Sequence, residues 1–458
     1  MDTKALRQKI LDLAIHGKLV PQDSNDEPAS VLLERIRAEK ERLIKEGKIK
    51  KGKKSAKTSD KPHYPYELPK GWCFTNIGEL LINRDGERKP VSSAIRSKQS
   101  NKIYDYYGAA GIIDKIDDYL FDEKLLLIGE DGANLLSKRK NNAFFAKGKY
   151  WVNNHAHVLD ATDKKLLEYV AIVINAIKLD DYITGSAQPK LSQDNLNKIP
   201  IALPPLSEQK RIMEAIIHWS LLIEQIEQNK IDLQASIKQA KSKVLDLAIH
   251  GKLVPQDPND EPAIELLKRI NPKAEIITDN GHYQKLPEGW TICRLKDISK
   301  IVTGSTPSKS NSGYYGGIFP FFKPADLDAG RHVYKAAEYL SEDGKKASKV
   351  VPKGTTAICC IGTIGKVGYL MYEGTTNQQI NCAIPSKVVD SVFLFYLCAS
   401  PQFNDNLNSE SSAVTISIVN KSKIEAISVP LPPLAEQKRI VSKIEEIFAQ
   451  LEAIETAL

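Results

Sequence analysis

The chain has 458 residues, 42% of them hydrophobic and 26% charged, which excludes a disordered or fibrous protein and predicts a soluble protein of about two to four domains. No apolar run approaches the ~20 residues that a membrane span needs, and the N-terminus lacks the apolar stretch of a signal peptide. The net charge of +7 permits a polyanionic partner, and six cysteines without a CxxC pair predict reduced thiols in a cytoplasmic protein.

From the N-terminus onward, the chain is organised by motifs that occur twice. Residues 11–23 read LDLAIHGKLVPQD, and the same thirteen residues recur at 245–257. The first copy is followed by LPKGW from Leu68 and by LPPLSEQKRI from Leu203. The second copy is followed by LPEGW from Leu286 and by LPPLAEQKRI from Leu431. The bodies between these motifs, 68–206 and 286–434, share little sequence. Identical borders around dissimilar bodies predict one fold that presents two different surfaces.

A basic run follows the first copy of the N-terminal motif. Between Lys45 and Lys61 there are eight lysines in seventeen residues, with Ile49 as the one large apolar side chain. Such a run is typical of a solvated linker. Contact with a phosphate backbone is the alternative interpretation.

The two bodies are predicted to be mixed α/β, with short strands between glycine turns. Residues 166–177 have helical spacing and are predicted to pack on a sheet. The predicted strands are rich in β-branched and aromatic residues and comprise 125–128, 150–152, 157–159, 356–361 and 367–372.

After each LPPL motif the apolar residues recur at alternating spacings of four and three, which is the seam of a coiled coil. The first such segment predicts a helix over 207–249, and the C-terminal segment repeats its beginning. The N-terminal residues match its end, so the second copy of the helix is divided between the two chain ends. The seam comprises Ile212, Ile216, Trp219, Ile223, Ile226, Leu233, Ile237, Val244, Ile440, Ile444, Ile447, Leu451 and Ile454.

Two such rods packed along their seams must be antiparallel, which gives an approximate two-fold axis. Alignment of Leu458 with Lys230 and of Met1 with Ala235 leaves about four residues missing from the divided helix. We therefore expect Met1 and Leu458 to lie within about 15 Å of each other, some three helical turns.

The repeated LPxGW and PPLxEQKRI borders, the helical spacer and the dissimilar bodies together resemble the specificity subunits of type I restriction–modification systems. The resemblance covers nearly the whole chain. Four stretches within the bodies also resemble that family: YYGAAGIIDKIDDYLFD at 106–122, LLIGEDGANL at 126–135, TGSTPSKSNSGYYGG at 303–317 and GTIGKVGYL at 362–370.

The resemblance implies an α/β (α+β) fold with two target-recognition domains separated by an antiparallel two-helix coiled coil of pseudo-two-fold symmetry. It implies that each body binds one half of a split double-stranded DNA target, without catalysis by this chain and without a membrane. Two methyltransferase subunits would dock on the scaffold, and restriction–translocase subunits would complete the complex. S-adenosylmethionine, ATP and magnesium would be used by these partners, with no cofactor in this chain.

The predicted domains are an N-terminal helix and basic linker (1–67), recognition domain one (68–206), a central helix and linker (207–285), recognition domain two (286–434) and a C-terminal helix (435–458).

DNA contact is expected from polar and basic residues in segments that differ between the bodies. Arginine pairs well with guanine edges, glutamine with adenine edges, and lysine mostly meets phosphates. The candidates are Arg84, Arg88, Lys98, Lys138, Arg139, Lys140 and Gln188 in the first body, and Ser305, Thr306, Lys309, Lys323, Arg331, Lys366, Gln378 and Gln379 in the second.

Motifs that would favour an enzyme are incomplete. The GTIGK segment lacks the first glycine and the Ser/Thr of a phosphate loop and is interpreted as a turn between strands. His155 and His157 could share a strand face like metal ligands, but a hydrogen-bonding role is favoured because no third ligand stands at a sensible spacing. Glu130 and Asp131 are interpreted as turn residues, and no metal site is predicted. A two-domain protein-binding adaptor without DNA specificity is the alternative function.

Overall fold

The computed structural model describes residues 2–49, 67–185, 187–278, 286–409 and 418–458. The chain divides into two compact units, Met1–Asn229 and Lys230–Leu458. Most of the lysine-rich run, from residue 50 onward, lies outside the described residues, and so does Met1. The linker interpretation and the predicted closeness of the chain ends therefore stay predictions.

The first unit contains helices before, within and after a strand-rich body along the chain. Its helices are α1 (Thr3–Ile15), α2 (Ala29–Lys45), α3 (Ile77–Leu80), α4 (Ser93–Arg96), α5 (Asn134–Ser137), α6 (Lys164–Ala176), α7 (Gln193–Lys198) and the beginning of α8 (Leu206–Ile249). Its strands are β1 (Cys73–Asn76), β2 (Ile82–Asn83), β3 (Tyr104–Gly108), β4 (Gly111–Ile116), β5 (Phe121–Asp122), β6 (Leu125–Gly129), β7 (Ala143–Ala146), β8 (Lys149–Val152), β9 (Ala156–Asp160) and β10 (Pro200–Leu203).

The second unit begins with the remainder of α8 and ends with a long C-terminal helix. Its further helices are α9 (Ala263–Ile270), α10 (Leu295–Ile298), α11 (Glu342–Lys346), α12 (Ser391–Ala399), α13 (Pro401–Ser409), α14 (Lys421–Ala426) and α15 (Leu434–Ala457). Its strands are β11 (Thr291–Arg294), β12 (Ser299–Thr303), β13 (Tyr315–Phe322), β14 (Glu338–Leu340), β15 (Val350–Val351), β16 (Thr356–Cys359), β17 (Val367–Tyr369), β18 (Gly374–Thr376), β19 (Ile380–Pro385) and β20 (Ser428–Leu431).

The two bodies have the same sheet topology. In the first, strands pair in the orders β2-β9-β6-β7 and β4-β3-β8-β5, and in the second in the orders β12-β19-β16-β17 and β14-β13-β18-β15. One pair in each body is parallel, β3 with β8 and β13 with β18. The prediction of one fold used twice is therefore confirmed, although the sequences of the bodies differ.

The predicted elements of the bodies are confirmed with small changes at their ends. Strand β6 is buried at every position, as its LLLIG sequence requires, and α6 packs against β6, β7 and β9. The strand predicted over 356–361 ends at Cys359, because the following GTIGK segment turns back through Gly362 and Gly365, which have φ of 81° and 84°. That segment is the predicted turn between two strands.

Helix α8 confirms the predicted long helix, since it covers Leu206–Ile249 where 207–249 was expected. It begins directly after Pro204 and Pro205 and ends before Gly251, whose φ of 67° allows Lys252 N–H to donate to Leu247 O at 2.9 Å. Among the described residues, every helix is too short or too polar to cross a lipid bilayer.

Within each unit, α8 contacts the helix at the corresponding chain end. In the second unit Lys230 Nζ donates to Leu458 O at 2.9 Å, and Lys241 lies 3.3 Å from Glu452. The residue numbers rise along α8 as they fall along α15, so these two segments are antiparallel. In the first unit the related contact joins Arg7 and Glu227 at 3.1 Å.

The predicted seam is only partly buried, so the coiled-coil packing itself stays a prediction. Its buried members are Ile212, Ile223, Ile237, Ile440 and Ile444. Half-buried members are Ile216, Val244, Ile447 and Leu451. Exposed members are Trp219, Ile226, Leu233 and Ile454.

The three repeated motifs meet at a buried carboxylate in each unit. In the first unit Glu208 accepts hydrogen bonds from the Trp72 indole at 2.9 Å and from the Gln22 amide at 3.1 Å. Glu208 belongs to EQKRI, Trp72 to LPKGW and Gln22 to LVPQD, so one acceptor joins all three motifs. Because Glu208 is 1% exposed, its oxygens need such donors.

The second unit repeats this arrangement. Glu436 accepts from the Trp290 indole at 2.9 Å and from the Gln256 amide at 3.0 Å, and burial raises the pKa of Glu436. The neighbouring ion pair is also duplicated, since Arg211 lies 2.7 Å from Asp26 and Arg439 lies 2.6 Å from Asp260. These contacts explain why the borders recur while the bodies do not.

Candidate nucleic-acid interface

Several connecting segments of the first body meet at one edge of its β2-β9-β6-β7 sheet. Strand β6 ends at Gly129, directly opposite Ala156 at the start of β9. The segment after α6 joins them, because Leu191 N–H donates to Glu130 O at 2.7 Å and Gly132 N–H donates to Pro189 O at 3.0 Å. We call residues 130–142, 153–155 and 187–191 the first loop edge.

The same edge exists in the second body. Strand β16 ends at Cys359, opposite Ile380 at the start of β19. The segment after β12 reaches this edge through Gly304 N–H, which donates to Ile380 O at 3.0 Å, and through Ser305 N–H, which donates to Thr376 O at 2.8 Å. We call residues 304–311, 360–366 and 377–379 the second loop edge.

Three of the predicted DNA-contacting residues of the first body are exposed on the first loop edge: Arg139, Lys140 and Gln188. Lys138 also lies there, but its ammonium donates to Asn175 O at 3.3 Å and to Ile177 O, at the end of α6. Burial lowers the pKa of Lys138. This lysine is therefore engaged in holding the loop to the helix.

The other three predicted residues of the first body lie outside the first loop edge. Arg84 is paired with Glu87 at 2.6 Å and with Glu123. The Arg88 side chain is 12% exposed and donates to Glu130 at 2.7 Å, next to the edge. Lys98 is exposed and follows α4.

In the second body, six of the eight predicted residues gather on the second loop edge: Ser305, Thr306, Lys309, Lys366, Gln378 and Gln379. The Thr306 hydroxyl donates to the Gln378 side chain, which ties two of its segments together. Lys366 lies 2.6 Å from Asp328. The edge thus presents hydroxyl, amide and ammonium groups side by side, which are the groups that contact base edges and phosphates.

The remaining two predicted residues of the second body are held by carboxylates. Lys323 lies 2.5 Å from Glu338. Arg331 lies 3.2 Å from Glu445 of α15 and 4.4 Å from the centre of the Tyr369 ring. Arg331 therefore links the body to the helical scaffold.

A buried ion-pair cluster lies behind the first loop edge. His157 Nδ1 is 2.6 Å from Asp85, and its Nε2 is 2.8 Å from Leu191 O. Burial alone would raise the pKa of Asp85, but the hydrogen bond from His157 and the positive charges of His157 and Arg88 lower it below its usual value. The predicted hydrogen-bonding role of His157 is confirmed.

The cluster does not require a metal ion for charge balance. Asp85, Glu130 and His157 offer ligand-type atoms within 4.8 Å of one another. Arg88 already donates to Glu130 at 2.7 Å and lies 3.4 Å from Asp85, and Lys190 lies 3.4 Å from Glu130. The carboxylates are neutralised by side chains of the chain itself.

Sequence reasoning missed two parts of this region. Lys190 is exposed on the first loop edge, two residues after Gln188, and the same segment signal could have included it. The partners of His157 could not be found from spacing, because Asp85 precedes it by 72 residues and the register of three strands brings them together.

Comparisons with known proteins all indicate the same family. The model of the type I restriction modification DNA specificity domain matches residues 69–237 and 287–458. The chain is 28% identical to the type I restriction enzyme EcoAI specificity subunit of Escherichia coli, over 97% of this chain and 89% of that protein. It is also 28% identical to the EcoEI specificity subunit of Escherichia coli, over 99% of this chain and 90% of that protein.

A solved structure shows a related fold. The crystal structure of the HsdS subunit from Thermoanaerobacter tengcongensis aligns with a TM-score of 0.50 at 17% identity, covering 86% of this chain and 93% of that one.

Proposed function

Because the chain belongs to the family of the type I restriction modification DNA specificity domain, we propose that its two bodies each read one half of a bipartite DNA target. The chain is a specificity subunit, and such subunits are non-catalytic members of the methylating and cleaving complex. The two loop edges supply the reading surfaces, and their different side chains imply two unlike half-sites.

The observation that carries the proposal is the recurrence of one loop edge on two equivalent sheets with different polar residues. The first presents Arg139 and Lys140 between β6 and β7 and Gln188 after α6, whereas the second presents Thr306 after β12 and Gln378 before β19. A shared frame with unlike donors and acceptors suits recognition of two different short sequences, since direct readout depends on the pattern of donors and acceptors.

The proposal includes the partners of the complex. Two methyltransferase subunits dock on the duplicated border motifs, and restriction–translocase subunits complete the assembly. In this scheme S-adenosylmethionine, ATP and magnesium are bound by the partner subunits. The duplicated Trp–Glu–Gln contacts support the docking of two copies of one partner, because they give the scaffold two equivalent faces.

Exchange of one body tests this proposal. Residues 68–206 are replaced by the equivalent body of a relative, the complex is reconstituted, and the methylated sites are sequenced. One half-site should change while the other and the presence of a gap are kept. The matched control replaces residues 286–434 and should change the other half-site.

Change of both half-sites, or of neither, would contradict the two-reader proposal. A chain that shows no salt-sensitive DNA affinity but binds proteins tightly would favour the alternative of a protein-binding adaptor.

A further inference from the structure

The first and second bodies place different chemistry at the same position of the same sheet. In the first, His157 pairs with Ile128 across β9 and β6, and in the second Asn381 pairs with Ile358 across β19 and β16. Asp85, two residues after the end of β2, lies 2.6 Å from His157, whereas Thr303, the last residue of β12, donates its hydroxyl to Asn381 at 2.7 Å. An ionisable pair thus stands where the other body has a neutral hydrogen bond.

The backbone around these positions is shared, which establishes the equivalence. Glu130 N–H donates to His155 O at 2.9 Å and Cys360 N–H donates to Gln379 O at 2.8 Å. The carbonyl of Glu130 accepts from Leu191 N–H at 2.7 Å, and the carbonyl of Cys360 accepts from Val419 N–H at 2.9 Å. His155 therefore corresponds to Gln379, and Glu130 corresponds to Cys360.

Both ring nitrogens of His157 face acceptors. The Asp85 carboxylate, whose pKa is lowered, accepts from Nδ1, and the carbonyl of Leu191 can only accept from Nε2. Both bonds exist together only when each nitrogen carries a proton, which is the imidazolium form. The ring is 1% exposed, so water cannot replace a lost partner without movement of the segment.

We propose that His157 is a positioning residue that holds residues 187–191 in place for DNA reading only as the imidazolium, so that recognition of the first half-site weakens as pH rises. The second half-site is not affected, because Thr303 and Asn381 do not titrate. This inference rests on the proposed reading of one half-site by each body.

The step is the loss of one proton from Nε2 to solvent. The Nδ1 proton stays, because its acceptor is a carboxylate and a charge-assisted bond is the stronger of the two. The Nε2 lone pair then faces the lone pairs of Leu191 O, and that contact is lost. The segment that carries Gln188 and Lys190 then loses one of its attachments, and its backbone bonds to Glu130 and Gly132 remain.

The charged groups that face the ring are Asp85, Arg88 and Glu130. Glu130 is 3.8 Å from Nδ1, and both Arg88 and Lys190 neutralise it in part. The exposed His155, 2.6 Å from Asp131, is a second imidazole close by. A test must therefore separate the effect of His157 from that of His155.

The test uses the full chain in its reconstituted complex and three DNA duplexes: the target found by sequencing, and the same target with either half-site scrambled. Discrimination at each half-site is the ratio of Kd values, measured from about pH 5 to about pH 9, which includes the range of about pH 5 to 8 in which histidines ordinarily change charge. Discrimination at the first half-site should fall by about tenfold across this range, as expected for one lost bond to a charged group. Discrimination at the second should stay constant.

Two variants copy the residues of the second body. The double variant Asp85→Thr/His157→Asn removes one positive and one negative charge and should make the first half-site insensitive to pH. The comparison variant His155→Gln removes the second imidazole, and its discrimination at the first half-site should still fall with pH relative to its own value at the lowest pH. Wild-type discrimination that does not change with pH, or a pH dependence that persists in the double variant, would overturn the proposal.

Failure of the two-reader function has a different signature. In that case the exchange of one body does not change the recognition of one half-site alone, whatever the pH. If the double variant does not fold, hydrogen exchange of residues 187–191 in the wild-type complex replaces it. After correction for the intrinsic rate, protection of this segment should fall as pH rises, and unchanged protection would overturn the proposal.

Discussion

The two units differ at a buried polar position of the central sheet and agree at their borders. At one register of the central sheet the first unit has the Asp85–His157 ion pair and the second the Thr303–Asn381 hydrogen bond. At the borders the Trp–Glu distance is 2.9 Å in both units. The comparison teaches that this position of the fold accepts either chemistry, since both pairs form a hydrogen bond across the sheet. The contacts that join the body to the scaffold are kept unchanged.

The largest expected effect tests the difference between the interiors. Asp85→Ala removes the nearest carboxylate from the buried ring of His157 and leaves Arg88 paired with Glu130, so we expect the first body to lose about 3–5 kcal/mol of stability. Thr303→Ala removes a neutral hydrogen bond and should cost about 1 kcal/mol. Native-state hydrogen exchange of β9 and β19 measures each body separately. Equal losses in the two bodies would contradict the comparison.

An intermediate effect tests the agreement of the borders. Trp72→Phe and Trp290→Phe each remove an indole donor from a buried glutamate, and each should cost about 1–3 kcal/mol. The two losses should be similar, because the contacts are duplicated. Trp151→Phe is the control, since that indole donates to Lys89 O at an exposed position and its loss should be small. Amide exchange near each tryptophan measures the loss of stability. Clearly unequal losses for Trp72→Phe and Trp290→Phe would show that the two contacts have the same geometry but different energies.

The smallest expected effect concerns the duplicated ion pairs. Asp26→Asn and Asp260→Asn should each cost about 1 kcal/mol or less, because the arginine partners are about one-third exposed. The hydrogen bond from Arg211 lowers the pKa of Asp26. Its contribution is therefore present above the usual aspartate pKa of about 3.9 and is lost as pH falls through the lower folded value. Urea unfolding at several pH values should show this loss in the wild type and not in Asp26→Asn.

The sequence was sufficient to predict the duplicated frame and much of the fold. The heptad spacing predicted α8 to within one residue, and the β-branched runs predicted strands such as β6 and β9. These signals are local, because spacing and side-chain type act within a few residues. The ion pair of Arg331 with Glu445 and the hydrogen bond from Lys138 to the end of α6 join residues that are distant in sequence. No local pattern reveals such contacts.

The candidate interface was predicted in part. Choosing polar residues in dissimilar segments identified Arg139, Lys140 and Gln188, which share one edge. It also selected Arg84 and Arg88, which the fold engages with carboxylates. Residue type alone cannot distinguish a solvent-facing arginine from one in an ion pair, since the partner of Arg88 is 42 residues away.

The pairing of each body's first strand with its last has an evolutionary consequence. In the first unit Cys73 is directly opposite Leu203 across β1 and β10, and in the second Thr291 is directly opposite Leu431 across β11 and β20. Paired residues of antiparallel strands lie about 5 Å apart, so each body enters and leaves the scaffold at almost the same point whatever its length. A gene segment bounded by these strands is therefore a cassette. Recombination between the repeated border codons can replace it whole, and under the proposed function such a replacement gives a new half-site in a single event.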